Sequence, residues 1–280
     1  MTSQIKTVAL LALLSALVIV LGGYLGGQTG IVIAFAFALI MNVGSYWFSD
    51  KIVLSMYRAQ EVTPAEAPQL YQAVAELAQR ANLPMPRVYV IPDESPNAFA
   101  TGRNPEHAVV AVTQGILRLL PANELRGVLA HELGHIAHRD ILIQTVAAVL
   151  ASAIVGIANI MRFAAVFGGG RSNNRGGSPL VLLATTLLAP IAAALIQMAI
   201  SRSREYLADK KGAQLSGNPL YLAGALEKLT THTARTPMRV SHQTTTPLFI
   251  VNPFAGKSLS ALFSTHPPVE ERIARLRAMR

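Results

Sequence analysis

The segment His131-Glu132-Leu133-Gly134-His135 carries the side chains best suited to chemistry. On a helix, histidines at positions i and i+4 lie on one face, where both imidazoles can bind a single Zn²⁺. Glu132 between them can act as a general base toward a water molecule. Two solvated helix histidines are the alternative, but an H-E-x-x-H match arises by chance in roughly 1 in 100 such chains or fewer. The pattern therefore predicts a zinc site.

A catalytic zinc site needs a third protein ligand and an open coordination position. His138 is poorly spaced to complete a tetrahedral site, and Ile141 stands where a metzincin carries its third histidine. Glu205 is the better candidate, because it follows the last apolar stretch and shares a helix face with Asp209. Asp209 would accept the N–H of a ligand histidine and fix its tautomer. The alternative is an exposed helix on which both carboxylates pair with neighbouring basic residues.

The residues that precede the zinc motif have the pattern of a globular α+β region. Apolar residues at helical spacing predict a helix over 63–81 with Thr63 as its N-cap. Short β-branched segments predict strands at 87–91 and 107–113, with a third, edge strand at 97–101. A helix that opens at Pro121 carries the motif, and its polar first turns indicate that it begins in water.

The composition is that of a membrane protein, with 51% hydrophobic and 14% charged residues and a mean hydropathy of +0.39. No charged side chain occurs from Thr7 to Ser49, which is long enough for two membrane helices. We predict spans at 5–25 and 31–48, as an uncleaved anchor rather than a signal peptide. The glycines between the spans fit either a turn or small-residue helix association.

Two further uncharged stretches, 141–161 and 176–201, predict a second helical pair, either transmembrane or a hydrophobic hairpin on the protein. Most Lys and Arg residues near the span ends fall on one side, which places the polar segments in the cytoplasm. Arg162, Arg171 and Arg175 fall on the other side. The predicted divisions are 1–49 (two N-terminal transmembrane helices), 50–140 (first part of a cytoplasmic zinc-binding domain, with the H-E-x-x-H helix), 141–201 (hydrophobic helical pair, transmembrane or membrane-associated) and 202–280 (second part of that domain, with the third zinc ligand).

Several function classes are excluded by what the sequence lacks. The net charge of +9 is explained by attraction of basic residues to anionic lipid headgroups, and no nucleic-acid-binding motif is present. The segment 255–258 resembles the end of a phosphate-binding loop, but Val251 replaces its required first glycine, so we expect no nucleotide. The absence of cysteine excludes disulfides, thiolate zinc ligands and a cysteine nucleophile.

Taken together, the motifs resemble the membrane-bound M48 metallopeptidases of the bacterial HtpX type over nearly the whole chain. The resemblance implies a mainly α, α+β polytopic membrane protein with a zincin-like (gluzincin) catalytic domain. It implies one Zn²⁺ per subunit, held by His131, His135 and Glu205, with Glu132 as the base. The segments that carry the resemblance are the N-terminal spans, the hydrophobic pair, 97–102, 130–135, 201–209 and 265–268.

The resemblance also assigns residues outside the metal site. Asn97, Ala98, Phe99 and Ala100 would form the edge strand that pairs with substrate backbone, although the sequence alone fits a turn and a core aromatic. His266 would donate a hydrogen bond to the oxyanion, although 265–268 also fits an ordinary helix start. His138-Arg139 departs from the family pattern and leaves His138 without a role.

The resemblance implies a bacterial inner-membrane enzyme that clears misfolded or damaged membrane proteins. The expected function is therefore ATP-independent endopeptidase activity on such proteins at the cytoplasmic face. One alternative is a non-catalytic, zinc-stabilised membrane scaffold or holdase, which would not need Glu132. Another is a protease that cuts within the bilayer, which the charged residues just upstream of His131 oppose.

Overall fold

The computed structural model describes residues 3–167, 202–236, 238, 243–252 and 267–279, and these form mainly helices around one sheet. The predicted α+β, mainly α class is confirmed. The predicted helix at 176–201 and His266 lie outside the described residues. The helices are α1 Ser3–Met56, α2 Pro68–Arg80, α3 Gln114–Leu119, α4 Ala122–Ala137, α5 Ile141–Phe167, α6 Arg202–Ser216, α7 Pro219–Arg235 and α8 Val269–Ala278. The strands are β1 Gln60–Glu61, β2 Arg87–Ile91, β3 Ala98–Thr101 and β4 Val109–Thr113.

The first helix, α1, is a hairpin of two helical limbs that meet at Gly27. Gly27 has a φ of 56° and a ψ of −140°, a conformation that favours glycine. The limbs run back along each other, since Asn42 Nδ2 donates a hydrogen bond to Ser15 Oγ at 2.8 Å. They also approach closely, because a Cβ on Gly22 would lie 2.5 Å from the carbonyl oxygen of Gly30. The glycine-rich stretch therefore serves both as the turn and as a helix contact.

The outer surface of this hairpin is apolar. Gly26–Met56 is long and apolar enough to cross a membrane. Large side chains such as Val20 and Ile40 are more than two-thirds exposed. In the part of the chain that the structure describes, the exposed large hydrophobic residues beyond position 52 are Met85, Leu207 and Leu220. Such a concentration of exposed apolar surface favours a lipid environment for the hairpin.

The sheet has the strand order β1-β2-β4-β3, with β2 and β4 parallel and the two outer strands antiparallel to their neighbours. The strand predicted from residue 107 begins later, at Val109, because Pro105–His107 forms a 3-10 helix. Asn104 caps this turn by accepting a hydrogen bond from the amide of His107. β3 lies at one end of the sheet, as predicted for an edge strand.

Two predicted boundaries are wrong for local reasons. The helix expected from Thr63 begins at Pro68 instead, with the proline at its first position. The predicted cap exists within the preceding turn, where Glu66 Oε2 accepts hydrogen bonds from the amide and hydroxyl of Thr63, each 2.8 Å long. The stretch 230–252 is rich in threonine and poorly periodic, which predicts a loop, but its first residues are helical because α7 continues to Arg235.

Helices α4 and α6 cross with their backbones in contact at two glycines. A Cβ on Gly134 would lie 3.1 Å from the carbonyl oxygen of Ala208, and one on Gly212 would lie 2.9 Å from the amide nitrogen of His131. Only glycine permits this approach, which brings side chains of α6 next to the H-E-x-x-H motif of α4. The fourth residue of that motif therefore has a packing role.

Helix α5 leaves the site at a sharp angle to α4. The chain bends by 91° between the two helices, at a break that contains Arg139 with a φ of 56°. The first half of α5 is buried and packs against the α1 hairpin. The motif helix α4 is therefore joined by one short break to α5, which packs against the apolar α1 hairpin.

Replacing Gly212 with alanine tests the α4–α6 contact. We expect Gly212→Ala to lower stability by about 1–3 kcal/mol, because the added methyl group must push α6 away from His131. Zinc affinity should fall with it. Gly44→Ala is the matched control, since nothing lies within 4 Å of that position and alanine favours a helix. Equal unfolding temperatures and zinc affinities for the two variants would contradict the packing argument.

Candidate metal centre

Three buried side chains from α4 and α6 converge at the helix crossing. The ligand atoms of His131, His135 and Glu205 lie within 4.8 Å of one another. Glu205 Oε1 is 3.4 Å from His135 Nε2, and Glu205 Oε2 is 3.9 Å from His131 Nε2. Helical spacing turns the two histidines to one face, and Glu205 reaches them from the first turn of α6.

The donor set fits zinc. Atoms that bind Zn²⁺ at about 2.1 Å in a tetrahedral site are separated by roughly 3.4 Å. The two separations between Glu205 and the histidines, 3.4 and 3.9 Å, are close to that value. Two imidazole nitrogens and one carboxylate are the ligands of many catalytic zinc sites, which keep the fourth position open.

Each histidine is backed by a carboxylate at its other ring nitrogen. Asp209 Oδ1 lies 2.9 Å from His131 Nδ1, and Asp140 Oδ2 lies 3.7 Å from His135 Nδ1. A carboxylate at hydrogen-bond distance from this nitrogen, as Asp209 is from His131, orients a ligand histidine and fixes its tautomer, with Nε2 left for the metal. Asp140 interacts with His135 over the longer distance of an ion pair. Asp209 is predicted from the sequence as a partner of a ligand histidine, and Asp140 is not.

Each of these carboxylates is in turn held by an arginine. Arg272 of α8 forms a bidentate pair with Asp209, through Nε at 2.9 Å and Nη2 at 2.7 Å. Arg204 Nη1 lies 3.4 Å from Asp140 Oδ1. Arg272 is fully buried, and its Nη1 also donates to the carbonyl of Ile250 at 3.3 Å. The two arginines therefore connect the histidines to α8 and to the start of α6.

Glu132 lies on the same helix between the histidines, beside the edge strand. Its side chain is buried, and its carboxylate accepts a hydrogen bond from the backbone amide of Ala100. Burial, reinforced by the charge of Glu205, raises the pKa of Glu132 to about 7, against the opposing effect of His135. A carboxyl group with this pKa can both accept and donate a proton near neutral pH.

The charges around the two histidines move their pKa values in opposite directions. Burial, with Arg272 nearby, lowers the pKa of His131 to about 4. Burial acts in the same direction on His135, but Glu205 and Asp140 outweigh it and raise the pKa of His135 to about 9. Burial would raise the pKa of Asp209, yet the positive charge of Arg272 lowers it to about 2. His131 is thus neutral at pH 7, with its proton directed at Asp209.

The edge strand β3 is buried and already paired on part of its outer side. The register with β4 directs the backbone groups of Ala98 and Ala100 away from the sheet. The carbonyl of Ala98 accepts a hydrogen bond from the amide of Ile250 at 3.1 Å. Asn97 Nδ2 donates to the carbonyl of Val251 at 2.8 Å, and Phe249 packs edge-on against Phe99.

The structure brings most of the predicted site residues together. His131, Glu132, His135, Glu205 and Asp209 are adjacent, and the segment 97–100 lies beside Glu132. His266 lies outside the described residues. His138 is exposed at the C-terminal end of α4.

Arg272 and Asp140 are residues that sequence reasoning missed. Arg272 had a detectable signal, because a charged residue stands on the apolar stripe formed by Val269, Ile273 and Leu276. A charge in that position needs a buried partner. The one sequence signal at Asp140 is its position at the start of an apolar helix. A charged residue in that position is ordinarily interpreted as the boundary of a membrane segment.

The helix histidines, the carboxylate from a second helix and the adjacent glutamate have the arrangement that is typical of zinc metallopeptidases of the H-E-x-x-H class. Residues 64–280 match Peptidase family M48. The "Protease HtpX homolog" of Syntrophobacter fumaroxidans is 59% identical over all of both chains. The "Protease HtpX homolog" of Desulforapulum autotrophicum is 57% identical over 99% of this chain and 90% of its own.

The chain belongs to peptidase family M48 and is similar over its full length to HtpX proteases. It is a membrane zinc metalloprotease. The fold is also similar to the crystal structure of S. mikatae Ste24p, with a TM-score of 0.51 and 19% sequence identity. That match covers 98% of this chain and 65% of Ste24p, so the chain spans about two-thirds of that protein's length.

The ion pair between Arg272 and Asp209 can be tested by comparing two arginines on one helix. Arg272→Met leaves Asp209 buried without its charge partner, so we expect a loss of about 3–5 kcal/mol in stability. Zinc affinity should fall about 10- to 100-fold, because His131 loses its orienting partner. Arg277→Met is the control, since its side chain is exposed and its pair with Glu227 is worth about 0–1 kcal/mol. Zinc titration against a competing chelator measures the affinity. Similar affinities for both variants would show that Arg272 has no part in the site.

Proposed function

We propose that His131, His135 and Glu205 hold the single Zn²⁺ of each subunit, and that Glu132 is the general base of peptide-bond hydrolysis. The observation that carries this proposal is the buried His131–His135–Glu205 group, with its ligand atoms at zinc-site separations. Asp209 and Asp140 would keep the two histidines in the orientation that zinc requires.

Zinc bound there would polarise the scissile carbonyl and lower the pKa of the attacking water. Glu132 would take the proton of that water and pass it to the leaving amine, a sequence suited to its pKa of about 7. The amide of Ala100 would hold the Glu132 carboxylate in place between these two transfers. We also propose, from the resemblance at Thr265-His266-Pro267-Pro268, that His266 donates a hydrogen bond to the oxyanion.

We propose that an extended substrate adds a strand beside Asn97, Ala98, Phe99 and Ala100. Main-chain pairing of this kind binds many sequences, as a protease of broad specificity requires. The contact between Ala100 and Glu132 would bring the substrate backbone next to the base. A peptide that pairs with Ala98 would replace its present hydrogen bond from Ile250.

We propose that the catalytic part is zincin-like, is formed by 50–140 and 202–280, and faces the cytoplasm beneath a polytopic membrane region of 1–49 and 141–201. The exposed apolar surface of α1 and the apolar character of α5 support this arrangement. Basic residues near the ends of the apolar stretches support the orientation. Extended segments of misfolded membrane proteins at the cytoplasmic face of the bacterial inner membrane would be the substrates, cleaved without ATP.

The scaffold alternative is not favoured. A purely structural zinc site would have no use for a buried carboxyl group like Glu132, with its pKa near neutrality. Intramembrane cleavage is also not favoured, because the first turn of the motif helix carries exposed Asn123 and the charged residue Glu124.

Substitution of two glutamates separates metal binding from catalysis. Glu132→Ala should retain about one zinc per chain and lose cleavage of an unfolded substrate by about 100-fold or more. Glu205→Ala should lose the metal as well, because a carboxylate ligand is gone. Glu270→Ala, at an exposed position on α8, is the control and should match the unaltered protein. Cleavage by Glu132→Ala at the unaltered rate would rule out Glu132 as the base.

Membrane orientation can be measured with single cysteines, because the chain has none of its own. Gln28 and Asn123 are exposed, the first beside the hairpin turn and the second at the start of α4. In spheroplasts, a membrane-impermeant maleimide should label Gln28→Cys at once. It should label Asn123→Cys only after lysis. The reverse pattern would place the catalytic part outside the cytoplasm.

A further inference from the structure

A basic cleft lies where the second limb of α1 meets the sheet, away from the metal centre. Its volume is about 340 Å³. The cationic side chains that line it are Lys51, Arg87 and Arg103, with His107 beside them. Trp47 and Phe48 form an aromatic wall, and Asp50 is the one acidic residue among those that line the cleft.

The cleft lies at the end of the charge-free part of α1. No charged side chain occurs from Thr7 to Ser49, and Asp50 and Lys51 follow directly. Trp47 and Phe48 are each about half exposed, at 49% and 51%. Aromatic residues followed by a basic residue mark the boundary between hydrocarbon and headgroups on membrane helices. With α1 inserted, the cleft opens at the depth of the lipid phosphates.

Two of the cationic side chains that line the cleft are available to bind an anionic ligand. Asp50 is engaged by Arg87, with Oδ2 2.9 Å from Nη2. Within the described residues, neither Lys51 nor Arg103 has a carboxylate at ion-pair distance. Both side chains lie near aromatic rings, with Arg103 Cζ 4.6 Å from the centroid of Trp47 and Lys51 Nζ 5.7 Å from that of Phe48. A guanidinium that stacks on a ring still has its in-plane N–H groups available for an oxyanion.

We propose that this basic cleft binds the phosphate of an anionic phospholipid headgroup, with Lys51 and Arg103 as its principal contacts. The acyl chains would lie along the exposed apolar side of α1. Arg103 follows the edge strand β3 by two residues, through a tight turn at Gly102 with a φ of 133°. A bound lipid would therefore fix the substrate-pairing strand against the membrane surface. This inference rests on the proposed insertion of α1 in the bilayer.

Trp47 makes the proposal measurable, because it is the only tryptophan in the sequence. The zinc-loaded protein is reconstituted in phosphatidylcholine vesicles that contain either brominated phosphatidylglycerol or brominated phosphatidylcholine at equal fractions. Bromine quenches tryptophan fluorescence on contact, so the ratio of the two quenching curves reports which headgroup is enriched beside Trp47. The same ratio is measured for each variant, so that any change in the basal emission of Trp47 cancels.

We expect the unaltered protein to prefer the anionic lipid. The double substitution Lys51→Gln and Arg103→Gln should reduce that preference about fivefold or more. The control removes two positive charges elsewhere, with Arg118→Gln and Arg275→Gln, whose exposed side chains pair with Glu94 and Glu271. The control should keep the preference, and the zinc content of each protein reports whether it has folded.

Four results would overturn the proposal. Equal quenching by both lipids in the unaltered protein would leave α1 inserted but exclude the lipid site. An unchanged preference in the Lys51→Gln, Arg103→Gln variant would assign the preference to other charges. Displacement of the lipid by excess inorganic phosphate at constant ionic strength would identify a site for free anions instead. Absence of quenching by either lipid would reject the insertion of α1 as well.

Discussion

The burial of charge at the crossing of α4 and α6 is the constraint on which the arrangement of the site depends. His131, His135, Glu205 and Asp209 are all nearly inaccessible to solvent, and charged groups in that position are unfavourable without partners. Arg272 offsets the carboxylates by binding Asp209 and lying 3.8 Å from Glu205. The same cluster needs helix backbones in contact, which the glycines at 134 and 212 allow. The crossing of α4 and α6 therefore has to satisfy the close packing of the helix backbones and the pairing of the buried charges at the same time.

This constraint links parts of the chain that are far apart in sequence. The motif helix contributes the histidines, α6 the carboxylates, and α8 the arginine that holds Asp209. Arg272 also contacts the carbonyl of Ile250, whose amide pairs with the edge strand. The residues that contact the proposed metal ligands are thus connected to the strand proposed to bind substrate. We therefore expect a change at one of these points to affect both metal geometry and substrate access.

Local periodicity made the motif helix, the α+β class and the central strands predictable from sequence. The roles of the two histidines and Glu132 follow from the geometry of a helix alone. The turn between the N-terminal spans follows from the tolerance of glycine for positive φ. Glu205 was predicted as the third ligand because it is the carboxylate that directly follows the apolar region. Asp140 and Arg272 were not predicted as site residues, because their roles depend on burial and on neighbours from other helices. The start of α2 was misplaced because the cap at Thr63 and the proline at 68 were competing signals.

The separation between His131 and Arg272 has a consequence for the biosynthesis of the protein. These residues are 141 positions apart, and Glu205 lies between them. While the chain is being synthesised, the two histidines emerge long before the carboxylates and the arginine that complete their surroundings. A nascent chain therefore holds an incomplete site until Arg272 has been added. The order of residues along the chain delays the formation of a working protease until most of the molecule has been made.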